Sequence, residues 1–412
     1  MSNKLFKKAC VLAAATTLPM SQGVFAGEEG VDWNISGWIN EAAIFYDDGQ
    51  GSDVVQVSDN GTTLGSRINI SGSADLPGTN GWTAGFEVIL EPQSTDTPLL
   101  FSNQDGTGTT SVFGDTNGHA IGVLGNSVNV GGNWGKVTLG LQSMPTDNIA
   151  VLADPSLTLW SSISPVFRGN GFTIRGLGAT AANTTWGSFL QCYTVPGLGI
   201  GLDCNGIYRN GIRYDLPALG PVNIAVGYAN DDVYDIAAKY SGNLGRITTL
   251  LNLGYAINQG GGGSNVGGSD SENFQAQLGL MDPQTGLFGT FAYNSDEADG
   301  PGIAATSSDD MDSWWLKVGI KKQWFAPGDT SLDFQYGSYN DAFGTGSAGL
   351  TDSEVERIGF AINQYFGSKL IIYGAYENLD LDVDCTAGTA CVTDYSGAED
   401  LDIFTLGLTY FF

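Results

Sequence analysis

The 412-residue chain holds a single histidine, His119, and only 16 lysines and arginines against 44 aspartates and glutamates. One histidine leaves serine hydrolysis a single candidate base, and nothing marks the nearby Ser102 or Ser111 as a nucleophile, so the chain is not expected to be an enzyme. Shortage of positive charge excludes nucleic acid, whose phosphates need basic patches. After the first 26 residues no stretch offers the roughly 18 unbroken apolar residues that a membrane helix needs. Any membrane crossing must therefore use strands. No proline-rich or charged linker divides the chain, and no self-similarity at a fixed period suggests a propeller or repeat array.

The front end has the three-part layout of a secretory signal: Lys4, Lys7 and Lys8, an apolar run from Ala9 to Leu18, and the small-residue site Val24-Phe25-Ala26 before Gly27. We expect residues 1–26 to be a signal peptide that carries Cys10 away with it. Its removal takes three of the 16 basic residues, leaving 13 against 44 acids, so the net charge moves from −28 to about −31. Strong acidity alone would suit disorder, but a chain with 42% hydrophobic and 11% aromatic residues has too much to bury.

Turns and alternation dominate the remainder. Sixteen stretches read as strands, and the spacers between them alternate short and long. Compact turns include Pro77-Gly78-Thr79-Asn80, Gly131-Gly132-Asn133, Pro217-Ala218-Leu219-Gly220, Asp282-Pro283-Gln284-Thr285-Gly286 and Pro327-Gly328-Asp329. Long spacers cover 92–117, 144–205, 258–271, 295–312, 340–353 and 381–399; Asn230-Asp231-Asp232 is a short exception. In 62–76, Leu64, Ile68, Ile70, Ala74 and Leu76 oppose Arg67, Asn69, Ser71, Ser73 and Asp75. The last residues, Thr405 to Phe412, alternate likewise, with Leu406, Leu408, Tyr410 and Phe412 on one face. An apolar final strand is safe only if its edge is paired, and barrel closure pairs it with the first strand. The expected fold is all-β: a transmembrane antiparallel up-and-down barrel of about 16 strands.

This layout resembles the general bacterial porins, the 16-stranded trimeric family of Gram-negative outer membranes. The resemblance is most specific at Ser66-Arg67, at Gly135-Lys136-Val137-Thr138-Leu139-Gly140-Leu141-Gln142, at Asn210-Gly211-Ile212-Arg213-Tyr214-Asp215-Leu216-Pro217 and in the final strand. It implies an outer-membrane barrel over 27–412, a homotrimer in contact with lipid and lipopolysaccharide, and passive diffusion of ions and small hydrophilic solutes. It also implies that the third loop, here 144–205, folds inward as a constriction. The family commonly has Gly-Arg-Gln where this chain has Gly140-Leu141-Gln142, which puts strong anion preference in doubt.

The candidate constriction residues are Arg67, Arg209 and Arg213 on the wall, facing the loop acids Asp147, Asp154 and Asp203. Acid-rich outer loops would raise the local cation concentration, so weak cation selectivity is expected. Those acids could also hold Ca²⁺, though no spacing matches an EF-hand. Four cysteines remain, Cys192, Cys204, Cys385 and Cys391, in a compartment that permits disulfides; local pairing joins the first two and the last two, and two other connectivities exist. Trp160, Phe167 and Phe172 either pack the loop against the wall or bind a solute. The alternatives to a general channel are a substrate-selective channel for a sugar or organic acid, and a non-conducting structural barrel.

Overall fold

A computed structural model describes residues 30–57, 64–93, 120–192, 201–206, 208–230, 232–259, 270–299, 308–342 and 349–412. The expected signal segment lies outside these residues, as do Ser102, Ser111 and His119. The strands are β1 (Asp32–Asp47), β2 (Ser52–Val57), β3 (Arg67–Asp75), β4 (Thr83–Gln93), β5 (Ala120–Gly132), β6 (Gly135–Ser143), β7 (Tyr208–Asp215), β8 (Val222–Ala229) and β9 (Val233–Leu244). They continue as β10 (Ile247–Asn258), β11 (Asp270–Met281), β12 (Leu287–Asp299), β13 (Asp310–Phe325), β14 (Gly328–Asn340), β15 (Leu350–Phe366), β16 (Leu370–Cys385) and β17 (Leu401–Phe411). A short helix, α1 (Ala390–Tyr395), lies between the last two.

Apart from β2 and β3, which both pair with β1, each strand pairs antiparallel with its sequence neighbour, and β17 returns to pair with β1 from Trp38↔Phe411 to Asp47↔Asp402. The 17 strands occupy 16 positions, because β2 and β3 share one: β2 pairs with the second half of β1 and β3 with the first half. The stretch 62–76 is therefore a strand only from Arg67, and Leu64 packs instead with Trp38 and Trp160. Closure is completed by Gly37 and Phe412, each of which donates its amide to the other's carbonyl at 3.2 Å. A side chain at Gly37 would strike the Arg67 carbonyl and the Phe412 ring, so glycine is required at this seam.

The alternation runs opposite to that of a soluble barrel. Leu406, Leu408 and Tyr410 stand exposed on the outside of β17 while Thr405 and Thr409 are buried inside; β15 repeats this with Ile358, Phe360 and Ile362 exposed and Asn363 buried. Such a band can only face hydrocarbon. Aromatics mark its two edges. At the short-turn end Trp82 meets Trp134 edge-on and Trp134 stacks with Tyr214, and toward the long-loop end outward tyrosines hold carboxylates, as Tyr376 does with Asp402 at 2.6 Å.

The acidic stretches at 295–312 and 381–399 were expected to be loops, yet β12 runs on to Asp299, β13 begins at Asp310 and β16 reaches Cys385, so strands extend into both. Long strands carry the chain past the apolar band, and their charged tips replace loop length. Asp394, within α1, is buried and accepts a hydrogen bond from Thr180 at 2.5 Å.

Candidate functional site

Between β6 and β7 the chain makes a long excursion whose described residues are largely buried against the inner, polar face of the barrel. Its contacts step along successive strands. Asp235 of β9 accepts from both the amide and the hydroxyl of Thr146, at 2.9 and 2.8 Å. Asn252 of β10 meets the Ile149 carbonyl, Gln277 of β11 takes the Ala153 amide, and Thr290 of β12 reaches Asp154. Lys317 of β13 follows, then Asp333 of β14 with Ser162, Asn363 of β15 with Ser161, and Glu377 of β16 with Arg168. Arg175 then binds Asp48 just beyond β1 at 2.7 Å.

Two buried charge groups fasten this path. Lys317 donates to Asp154 at 2.6 Å, to the Thr158 hydroxyl at 2.8 Å and to the Ser162 carbonyl at 3.1 Å. Burial alone would raise Asp154, but Lys317 and the hydrogen bonds from Ser156 outweigh it and hold the carboxyl below its ordinary range. Glu377 receives both Arg168 and Arg357, and Arg357 also donates to the carbonyl of Ile163 at 2.7 Å. Above them lies an apolar core inside the barrel: Ile44, Tyr46, Phe172, Trp186, Phe189, Tyr339 and Leu401 are all buried together.

On the other side the inner face stays open. A cavity of about 340 Å³ is bounded by β4 to β10 and by residues from Ser143 to Ala153, and its charged residues are Glu87, Lys136, Asp147, Arg213, Asp215 and Lys239. Arg213 grips Asp215 through two nitrogens, at 3.0 and 2.7 Å, and reaches the Ser143 carbonyl at 3.1 Å. Burial raises Asp147, opposed by Ser143 and by the fields of Lys239, Arg67 and Arg213. Behind it, Asp203 is pushed up to about 8 by burial and by repulsion from Asp147. Burial thus holds both carboxyls above the ordinary carboxylate range.

The predicted site residues thus separate. Arg67, Arg213 and Asp147 lie within one another's field, with Asp203 beside them through the Asn148 amide. Arg67 is also paired with Glu91 at 2.8 Å and lies over the Trp38 ring. Arg209 is buried opposite Gln142 on the inner face of β7. Asp154 is elsewhere, held by Lys317 in the filled half. Lys136, Lys239, Glu87 and Asp215 complete the open cavity. Period two in β9 carries the signal for one of them: Asp235, Ala237 and Lys239 alternate with the exposed Tyr234 and Ile236. Leu141 falls on the outer face with Val137 and Leu139, so the absent arginine removes no charge from the cavity.

Disulfides join Cys192 to Cys204 and Cys385 to Cys391. The one trio of potential metal ligands that converges among the described residues is Cys192, Cys204 and Asp296, and its sulfurs are consumed by that bond. Trp160 packs edge-on to Trp38 and Phe411, and Phe172 edge-on to Tyr46, while Phe167 is partly exposed.

A closed 16-position barrel with a lipid-facing exterior and a charged internal cavity is an outer-membrane β-barrel of the channel-forming class. The model of the Gram-negative porin family matches residues 9–384, and the chain belongs to that family. Among solved structures it is similar to the anion-selective porin from Comamonas acidovorans, at 18% identity and TM-score 0.56 over 93% of this chain and 100% of that one. It is also similar to OmpT, an outer membrane protein of Vibrio cholerae, at 12% identity and TM-score 0.54 over 95% and 100% of the two chains. A third is the outer membrane channel DcaP of Acinetobacter baumannii, at 12% identity and TM-score 0.53 over 94% and 99%. No curated protein matches the chain.

Proposed function

We propose that the protein is a diffusion channel for ions and small hydrophilic solutes, exported by a cleaved signal at 1–26 and narrowed by the 144–205 excursion acting as an inward loop. The charged cavity between β4–β10 and Ser143–Ala153 carries this reading, because a non-conducting barrel has no use for a polar, charged hollow of this kind. No reaction is assigned to it. Within the cavity the three acids and three bases nearly cancel, so selectivity is set at the mouth, where strand tips and loops are acidic. The channel is weakly cation-selective.

Trimer formation is supported by an apolar hollow of about 490 Å³ on the outer face of β1 and β3–β6, where Trp33 and Phe86 flank the small residues Gly72, Ala74, Ala84 and Gly85. Reversal potential across a planar bilayer in a salt gradient tests the function. A cation-side potential that grows in Arg67→Ala is expected; an anion-side potential overturns the selectivity, and no conductance from folded protein overturns the channel.

A further inference from the structure

A second cavity, of about 390 Å³, lies inside the barrel on the short-turn side of the excursion, and its chemistry is unlike the first. Trp38, Trp160, Tyr365 and Phe411 form aromatic walls, with Leu64, Leu157, Leu159 and Ile371 between them. An apolar hollow of this size inside a water-filled barrel is costly to wet and falls in the volume range of small-molecule sites. Leu152 lines both cavities, so the two adjoin at this side chain.

One cation stands in this apolar wall. The Lys321 ammonium donates to the Ser156 carbonyl at 2.8 Å and lies 3.8 Å from the centre of the Tyr365 ring. Among the described residues no carboxylate lies within ion-pair distance of it. Two acids, Asp154 and Asp329, border the same cavity and attract Lys321 through space; Asp154 is paired with Lys317, and Asp329 is exposed in the β14 turn. An ammonium has three donors, and one is committed to Ser156.

We infer that this cavity binds small apolar monocarboxylates, the carboxylate on Lys321 and the ring or short chain between Trp160, Tyr365 and Phe411. A sugar is disfavoured, because its hydroxyls would find few partners on a wall of leucines and aromatic faces. The inference rests on the channel reading only for how the ligand arrives. Occupancy itself is independent of conductance.

The test is titration calorimetry on the full mature protein in phosphatidylcholine nanodiscs, with benzoate and its neutral counterpart benzyl alcohol as probes. Saturable benzoate binding at one site per chain is expected. Lys321→Met should weaken benzoate about ten-fold or more, the loss expected for a hydrogen bond to a charged group, and leave benzyl alcohol within about two-fold. Leu159→Trp, which fills the hollow and keeps Lys321, should abolish both; if Lys321→Met fails to insert, this variant decides alone. No saturable benzoate binding, equal affinity in Lys321→Met, or binding that survives Leu159→Trp overturns the inference. Bilayer conductance of the same preparations separates the readings: conduction without benzoate binding removes the pocket alone, and binding without conduction removes the channel alone.

Discussion

The two halves of the barrel's inner face are built from the same alternating strands and have opposite fates. Along β4 to β10 the inward side chains border an open cavity and their charges are available to passing ions. Along β11 to β17 and β1 they are covered by the excursion, and Lys317, Arg357, Gln335 and Thr405 are fully buried. A lysine on a barrel's polar face is therefore not in itself a pore residue: Lys239 and Lys317 occupy equivalent alternating positions, and only Lys239 lines the open cavity. What separates them is whether a loop acid reaches the base directly. Asp154 does so with Lys317, while Asp147 stays at the cavity's edge.

The largest way to break this contrast is to uncouple the filled half. Lys317→Met leaves Asp154 buried without a counter-charge and is expected to cost about 3–5 kcal/mol, read as a lowered urea midpoint of the barrel, with larger and noisier single-channel steps. Adding Asp154→Asn should recover most of that loss, because removing both charges is nearly neutral where removing one is not. Recovery of neither quantity would mean that Lys317 does not fasten the excursion.

On the open side the effects are electrostatic. Lys239→Ala should shift the reversal potential toward cations with little change in stability, whereas Lys317→Met should act through conductance and stability first. Asp203 gives a pH signature. Its carboxyl titrates near 8 in the folded barrel and near 3.8 when free, so between those values the folded state holds a proton the unfolded chain has released. Stability falls as pH rises through that window and levels off above it. Above about pH 8 the added negative charge should strengthen cation preference, and Asp203→Asn should flatten both profiles. The smallest effect is expected at Arg246, which meets Asp282 at 2.8 Å on the exposed turn between β9 and β10: Arg246→Ala should leave midpoint and conductance unchanged.

The strand count, the closure of β17 on β1 and the alternation of short and long connections were all legible from period two and turn chemistry. Leu406, Leu408 and Tyr410 announce an outward apolar face, and Thr405 and Thr409 an inward polar one. The filled half was not legible. Ile44 and Tyr46 are apolar on the inner face of β1, and alternation assigns faces without saying what stands opposite them. Phe172, Trp186 and Phe189 lie in a segment with no period, so nothing local ties them to that core. Asp154 and Asp147 lie seven residues apart and look alike in sequence. Only the path of the chain, set by partners more than 80 residues away such as Asp235 and Lys317, puts one against a lysine and the other beside the cavity.

The most direct test is thiol modification of two single-cysteine variants during single-channel recording: Asn223→Cys on the exposed wall of the cavity, and Gln335→Cys beneath the excursion. A cationic methanethiosulfonate reagent should change the step conductance of Asn223→Cys and leave Gln335→Cys untouched. Modification of Gln335→Cys with a comparable conductance change, or none at Asn223→Cys, would show that ions do not follow the β4–β10 side.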